Sequence, residues 1–114
     1  MNNPTSRFLP LNPDTFEILL ALAQDELHGY AMLKELESRG IRIAASLLYR
    51  KLKRLMEDDL VTEVRPRVAQ DDPRRRYYRL TANGRAVLQA EAARIVELAR
   101  NRDVRALAAK DNHA

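Results

Sequence analysis

Residues 44–58 read AASLLYRKLKRLMED, and the division of this stretch between apolar and cationic side chains decides the fold. At about 100° per residue, Ala45, Leu48, Leu52, Leu55 and Met56 fall on one side of a helix. Ser46, Arg50, Lys53 and Arg54 project from the opposite side, with Tyr49 and Lys51 at its edges. An ordinary surface helix would show the same period, so the chemistry of the outer face has to discriminate. Arginine pairs with guanine edges through two hydrogen bonds, and lysine, serine and tyrosine reach phosphates and some base edges. A face bearing three cations, a hydroxyl and a phenol therefore suits a groove lined with acceptors. Glu57, one turn further on, has to point away from a phosphate backbone.

The flanking sequence supplies the rest of a DNA-reading unit. Asn12-Pro13-Asp14 combines an N-cap, a proline at the first helical position and an acid at the positive end of the dipole. Phe16, Leu19, Leu20 and Ala23 follow at helical spacing, which predicts a first helix over 13–24 with that stripe buried. A polar connector, Asp25 to Gly29, leads to a second helix. Its expected core face is Tyr30, Leu33 and Leu36, its wet face Lys34, Glu35 and Glu37, and Gly40 stops it. Ile41-Arg42-Ile43 is long enough for one short strand. After the third helix, Val61 to Val68 and Arg75 to Thr81 read as extended runs joined by the turn chemistry of Ala69-Gln70-Asp71-Asp72-Pro73. Two helices with a short connection, then a hairpin, are the order of a helix-turn-helix with a wing. Arg74, Arg75 and Arg76 follow the turn, with Arg65 and Arg67 across the hairpin. Like charges crowded on a hairpin repel, and a phosphate backbone or narrow minor groove relieves that repulsion. Asp71 and Asp72, which partly offset the cluster, are the competing structural explanation.

Charge is distributed to match. The chain has 114 residues and a formal net charge of +4. Residues 1–40 carry 3 basic and 6 acidic side chains, residues 41–85 carry 12 and 6, and residues 86–114 carry 5 and 4. The positive excess lies in the middle third, where it attracts a polyanion by counterion release, or else forms a solvated face. Apolar residues make up 46% and charged residues 32%, the balance of one globular domain. No apolar stretch is long enough for a membrane span, no secretory signal opens the chain, and no cysteine is present. The expected location is cytoplasmic.

Thr81 reads as the cap of a long last helix. Leu88, Ala92, Ile95 and Ala99 recur along it at spacings of 4, 3 and 4, as in a coiled-coil seam. A helix from residue 82 to about 108 would be about 40 Å long at 1.5 Å per residue, longer than its own domain is wide. Its distal half is then covered by a second copy, the alternative being a monomer with a frayed tail; a homodimer would present two recognition helices to an inverted-repeat operator.

Three segments in order, His28-Gly29-Tyr30, Leu48-Tyr49-Arg50-Lys51-Leu52-Lys53-Arg54-Leu55 and Arg76-Tyr77-Tyr78-Arg79-Leu80-Thr81-Ala82-Asn83-Gly84, closely resemble the PadR-like transcriptional regulators. The resemblance covers roughly residues 11–90. It implies a mainly α fold with a small β-hairpin wing, a winged helix-turn-helix followed by a long C-terminal dimerisation helix. Residues 1–81 would be the DNA-binding domain with its N-terminal arm, and 82–110 the dimerisation helix packed on it as one unit. The implied activity is a homodimeric repressor on double-stranded DNA, often answering to a small aromatic or drug-like effector or to another cue. Matched position by position, Tyr49 becomes a backbone contact, Lys53 a further cation facing DNA, Tyr78 and Leu80 wing-base packing, and Thr81 the helix cap. Many relatives have proline directly after the tyrosine; here Arg50 stands there and adds a base or phosphate contact, so no operator sequence is carried over. Phe8, Phe16 and Leu20 are the candidate effector pocket, although no tryptophan is available to stack a planar ligand.

Other chemistries find no support. His28 and His113 have no carboxylate cluster at ligand spacing, so no metal or other cofactor is expected, and His28-Gly29 instead shapes the entry to the second helix. Gly84 allows close packing. Asp58-Asp59 and Asp71-Asp72 sit at a helix end and in a turn, without the burial that tunes a catalytic carboxylate. No nucleophile grouping or phosphate loop is present, so the chain does not read as an enzyme. The alternative to DNA binding is a winged helix used as a protein-interaction module.

Overall fold

The computed structural model describes residues 5–65 and 75–110. A 3-10 turn, Ser6–Phe8, precedes helix α1 (Pro13–Gln24), strand β1 (Leu27–His28), α2 (Gly29–Ser38) and α3 (Ala45–Glu57). Then come β2 (Val61–Val64), β3 (Tyr77–Leu80), α4 (Ala82–Arg100) and α5 (Arg102–Ala109). The expected extensions of the wing strands beyond Val64 and before Tyr77, the loop 69–73, Arg67, Arg74 and the last four residues are not part of either strand or lie outside the described residues.

Asn12 caps α1 as its sequence predicts, its side chain accepting the Asp14 N–H at 3.0 Å. The buried face differs from the expected stripe. Ile18, Leu19, Ala21 and Leu22 are buried, whereas Phe16, Leu20 and Ala23 are only half-buried. The reason is that α1 is central, packed by α2, α4 and β3 on different sides, so its apolar surface is wider than one stripe.

Helix α2 buries Met32 and Leu36, and Tyr30, expected in the core, is 58% exposed. Gly40 ends the helix in the left-handed region at φ 81°. The Gly40 N–H donates to Glu37 O at 2.9 Å and the Ile41 N–H to Leu36 O at 2.9 Å, a Schellman stop. Ile41–Ile43 is therefore no strand: Ile41 spends its amide on the helix stop, and both isoleucines pack against the core from irregular backbone.

The sheet has the order β1-β3-β2, entirely antiparallel. Val61 pairs with Leu80 and Val64 with Tyr77, which is the expected hairpin. The connector read as a polar loop supplies the third strand, with Leu27 opposite Tyr78 and His28 opposite Tyr77. Two residues carry no recognisable alternation, and their partner lies some fifty positions away. Tyr78 and Leu80 are buried at the wing base, as expected.

The last helix is not continuous. Asn101 adopts extended backbone, and its Oδ1 accepts the amides of Asp103 at 2.9 Å and Val104 at 3.0 Å, starting α5 afresh. Thr81 does cap α4, accepting the Gly84 N–H at 2.9 Å.

One buried charge ties the N-terminal arm down. Glu91 is 1% exposed; its Oε2 accepts the Leu11 N–H at 2.6 Å and its Oε1 takes Arg94 Nε. The Arg94 hydrogen bond, joined by the Leu11 amide, outweighs burial and holds the carboxyl below the usual carboxylate range. The resulting stabilisation is complete above that range and drains away as pH falls through Glu91's own lower value. Chemical denaturation of Glu91→Gln should show lower stability than wild type at neutral pH, with the difference narrowing as the solution is acidified; equal stability at neutral pH would contradict the assignment.

Candidate nucleic-acid interface

Helix α3 has three anchors on one side. Leu48 and Leu52 are wholly buried and Leu55 nearly so. Burying a leucine side chain contributes about 1.5–3 kcal/mol, so turning the helix over would forfeit several times the worth of any surface ion pair. Ala45, expected in the same stripe, is exposed at the first turn, and Met56 is half-buried.

The opposite face is presented to solvent. Ser46, Tyr49, Arg50, Lys53 and Arg54 are all exposed, and Lys51 at the edge is half-buried. Arg54 Nε lies 3.3 Å from Asp58 Oδ2, an exposed pair one turn apart. Among the described residues, neither Arg50 nor Lys53 enters an ion pair, so both cations stand uncompensated. Glu57 is exposed at the C-terminal end of the helix.

The descending arm of the wing comes alongside. Arg75 and Arg76 are exposed, and Arg76 Nε reaches Glu63 Oε1 on β2 at 3.5 Å. Exposed pairs of this kind contribute about 0–1 kcal/mol, which a phosphate can readily outcompete. Arg65 is also exposed; Arg74 lies outside the described residues. Burial pushes the Tyr78 phenol up, with Glu63 and Tyr49 adding to the effect and Arg76 opposing it.

Helix α2 joins the two elements. His28 is its N-cap: Nδ1 accepts the Ala31 N–H at 3.1 Å, while Nε2 lies 2.8 Å from Arg75 Nη1 and the ring edge meets Tyr77. Shaping the entry to α2 is thus the observed work of His28. A side chain at Gly29 would place its Cβ 2.2 Å from the Tyr49 hydroxyl, so the bare backbone there is what lets Tyr49 lie across the start of α2. His28, Gly29, Tyr30, Tyr49, Arg75 and Arg76 line an open cavity of about 430 Å³. Two guanidinium groups and phenol hydroxyls around such a concavity favour an anion. Among the described residues, no three His, Cys, Asp or Glu side chains assemble at metal-binding distance.

A family model described as the transcriptional regulator PadR-like family matches residues 18–90. The chain belongs to that family. It is 39% identical over 83 residues to the transcriptional regulator Rv3488 of Mycobacterium tuberculosis, covering 73% of this chain and 76% of that protein. A PadR family transcriptional regulator from Eggerthella lenta superposes with a TM-score of 0.64 at 30% identity, over 94% of this chain and 93% of that one. A PadR-like transcriptional regulator from Bacillus cereus gives a TM-score of 0.73 at 20% identity over 85% and 92% of the two chains, a likeness of fold. Family and relatives are regulators of transcription, not enzymes. The mainly helical fold with its small antiparallel sheet is the PadR-like winged helix.

Other expected site residues fall differently. Leu88 is buried within its own chain's core, while Ala92, Ile95 and Ala99 are exposed. Phe8, Phe16 and Leu20 each pack half-buried against the core. Phe8 lines a cavity of about 350 Å³ whose lining includes neither of the other two. Tyr30, read as a core residue, instead lines the cavity it shares with His28 and Tyr49, and Arg42, in a segment read as strand, is exposed just before α3.

Gly29→Ala should leave the fold largely intact, because the clash falls on the far end of one side chain, and should swing Tyr49 away. A crystal structure or the ring-proton shifts of Tyr49 would check this; an unmoved ring would contradict it.

Proposed function

We propose that this PadR-family protein is a sequence-specific DNA-binding repressor that acts as a homodimer on an inverted-repeat operator in the cytoplasm. The observation that carries the reading is the outer face of α3, where Arg50 and Lys53 stand exposed without ion-pair partners among the described residues, directly opposite the buried leucines. In this reading α3 enters the major groove. Ser46, Arg50 and Arg54 reach base edges or phosphates, Tyr49 and Lys53 take the backbone, and Arg74, Arg75 and Arg76 carry the wing onto the neighbouring phosphates.

The homodimer is supported by apolar surface that the chain leaves uncovered. Ile95, Val96, Leu98, Val104 and Leu107 are exposed along α4 and α5. With Ala92 and Ala99 they form the proposed interface, to which Leu88, already covered by its own subunit, adds support from beneath. Occlusion of a promoter by the bound dimer is the proposed mode of action. The proposed effector is a small molecule entering beside Phe8, at the edge of the helical core.

Fluorescence anisotropy with duplex DNA over a range of salt concentrations tests the proposal. Binding should weaken steeply with salt, and replacing both Arg50 and Lys53 by alanine should reduce the log–log slope by about 0.9 for each phosphate contact removed. A protein-interaction module would bind duplex without salt dependence or not at all, and either result would overturn the reading.

A further inference from the structure

The turn after α3 is bound to the first turn of α4 more closely than chain connectivity requires. Helix α3 ends in a second Schellman stop, with the Leu60 N–H donating to Leu55 O at 2.9 Å and the Asp59 N–H to Met56 O at 3.1 Å. The left-handed position is held here by Asp59 at φ 60° rather than by a glycine. Three hydrogen bonds then tie that corner to the start of α4. The Thr81 hydroxyl donates to Asp59 O at 2.6 Å, the Thr81 N–H to Leu60 O at 3.1 Å, and Asn83 Nδ2 to Asp59 Oδ2 at 2.7 Å. Gly84 closes the contact: a Cβ there would lie 2.0 Å from Leu60 O, a backbone atom that cannot move aside alone.

We propose that this corner is a clamp that fixes the direction of the recognition helix relative to α4, with Asp59 and Asn83 as positioning residues. An aspartate at positive φ is less comfortable than a glycine, and the carboxylate is what a glycine could not offer to Asn83. In a dimer held together through α4 and α5, the pose of each α3 on its own α4 sets the separation of the two recognition helices. Asp59 and Asn83 thereby select half-site spacing from outside the proposed DNA face. This inference rests on the dimeric DNA-binding reading above.

The test begins with duplexes selected from a random pool by the wild-type protein, followed by binding to the selected site and to versions with one base pair inserted or removed between half-sites. Asn83→Asp sets two carboxylates against each other, yet an acid in the first turn of α4 suits the helix dipole, so the melting temperature should hold. Its affinity for the selected site should fall about tenfold, the scale of losing a charge-assisted hydrogen bond, and its preference for one spacing should flatten. Asn83→Ala, which adds no charge, should flatten the spacing profile in the same way. Adding Asp59→Asn to Asn83→Asp reverses donor and acceptor, preserves net charge and tolerates the left-handed backbone; it should restore affinity and spacing preference. Single variants with wild-type spacing profiles, or no rescue by the exchange, would overturn the clamp while leaving the DNA reading intact. A wild-type protein that selects no paired half-sites contradicts the DNA reading itself and removes the basis of the clamp.

Discussion

The one-sided burial of α3 governs the rest of the molecule. Leu48, Leu52 and Leu55 are held by α2, β2 and the core beneath, and this fixes the rotation of the helix about its axis. Once that rotation is set, Arg50 and Lys53 have nowhere to go but outward, and among the described residues no acid pairs with them. A free cationic face costs the isolated protein some self-repulsion, and it becomes favourable when a polyanion is present. The surrounding elements serve to hold this face steady: α2 supports Tyr49 through the bare backbone of Gly29, and the wing brings Arg75 and Arg76 beside it.

Local chemistry was legible in the sequence at several short patterns that act on their own backbone. Asn12-Pro13-Asp14, Gly40 and Thr81 each do what their residue types demand, and the outer face of α3 follows from the helical period alone. The break at Asn101 obeys the same rule. Asn101-Arg102-Asp103 repeats the Asn-x-Asp arrangement that opens α1, with the same Asn side chain accepting the amide two positions on. The seam of Leu88, Ala92, Ile95 and Ala99 stops just short of this cap, and the next positions at its spacing are Arg102 and Asp103, so the cap rather than the apolar pattern marks the break.

What the sequence concealed is long-range. Strand β1 exists only because β3 offers Leu27 and His28 a free edge, and two residues cannot advertise a partner so far away. Tyr30 sits at helical spacing with Leu33 yet faces outward, because Met32 and Leu36 fill the space beneath α2. Leu88 belongs to the seam by spacing and to the core by position. The corner at Asp59 was likewise invisible, since a paired acid after a helix reads as solvated surface until α4 is folded against it.

The most direct measurement is the amide spectrum of the isotopically labelled protein during titration with duplex DNA. The account predicts that the largest perturbations cluster at Ser46–Arg54 and at Arg75–Arg76, with the leucine side of α3 little changed. Perturbations confined to α4 and α5, with the outer face of α3 silent, would contradict it.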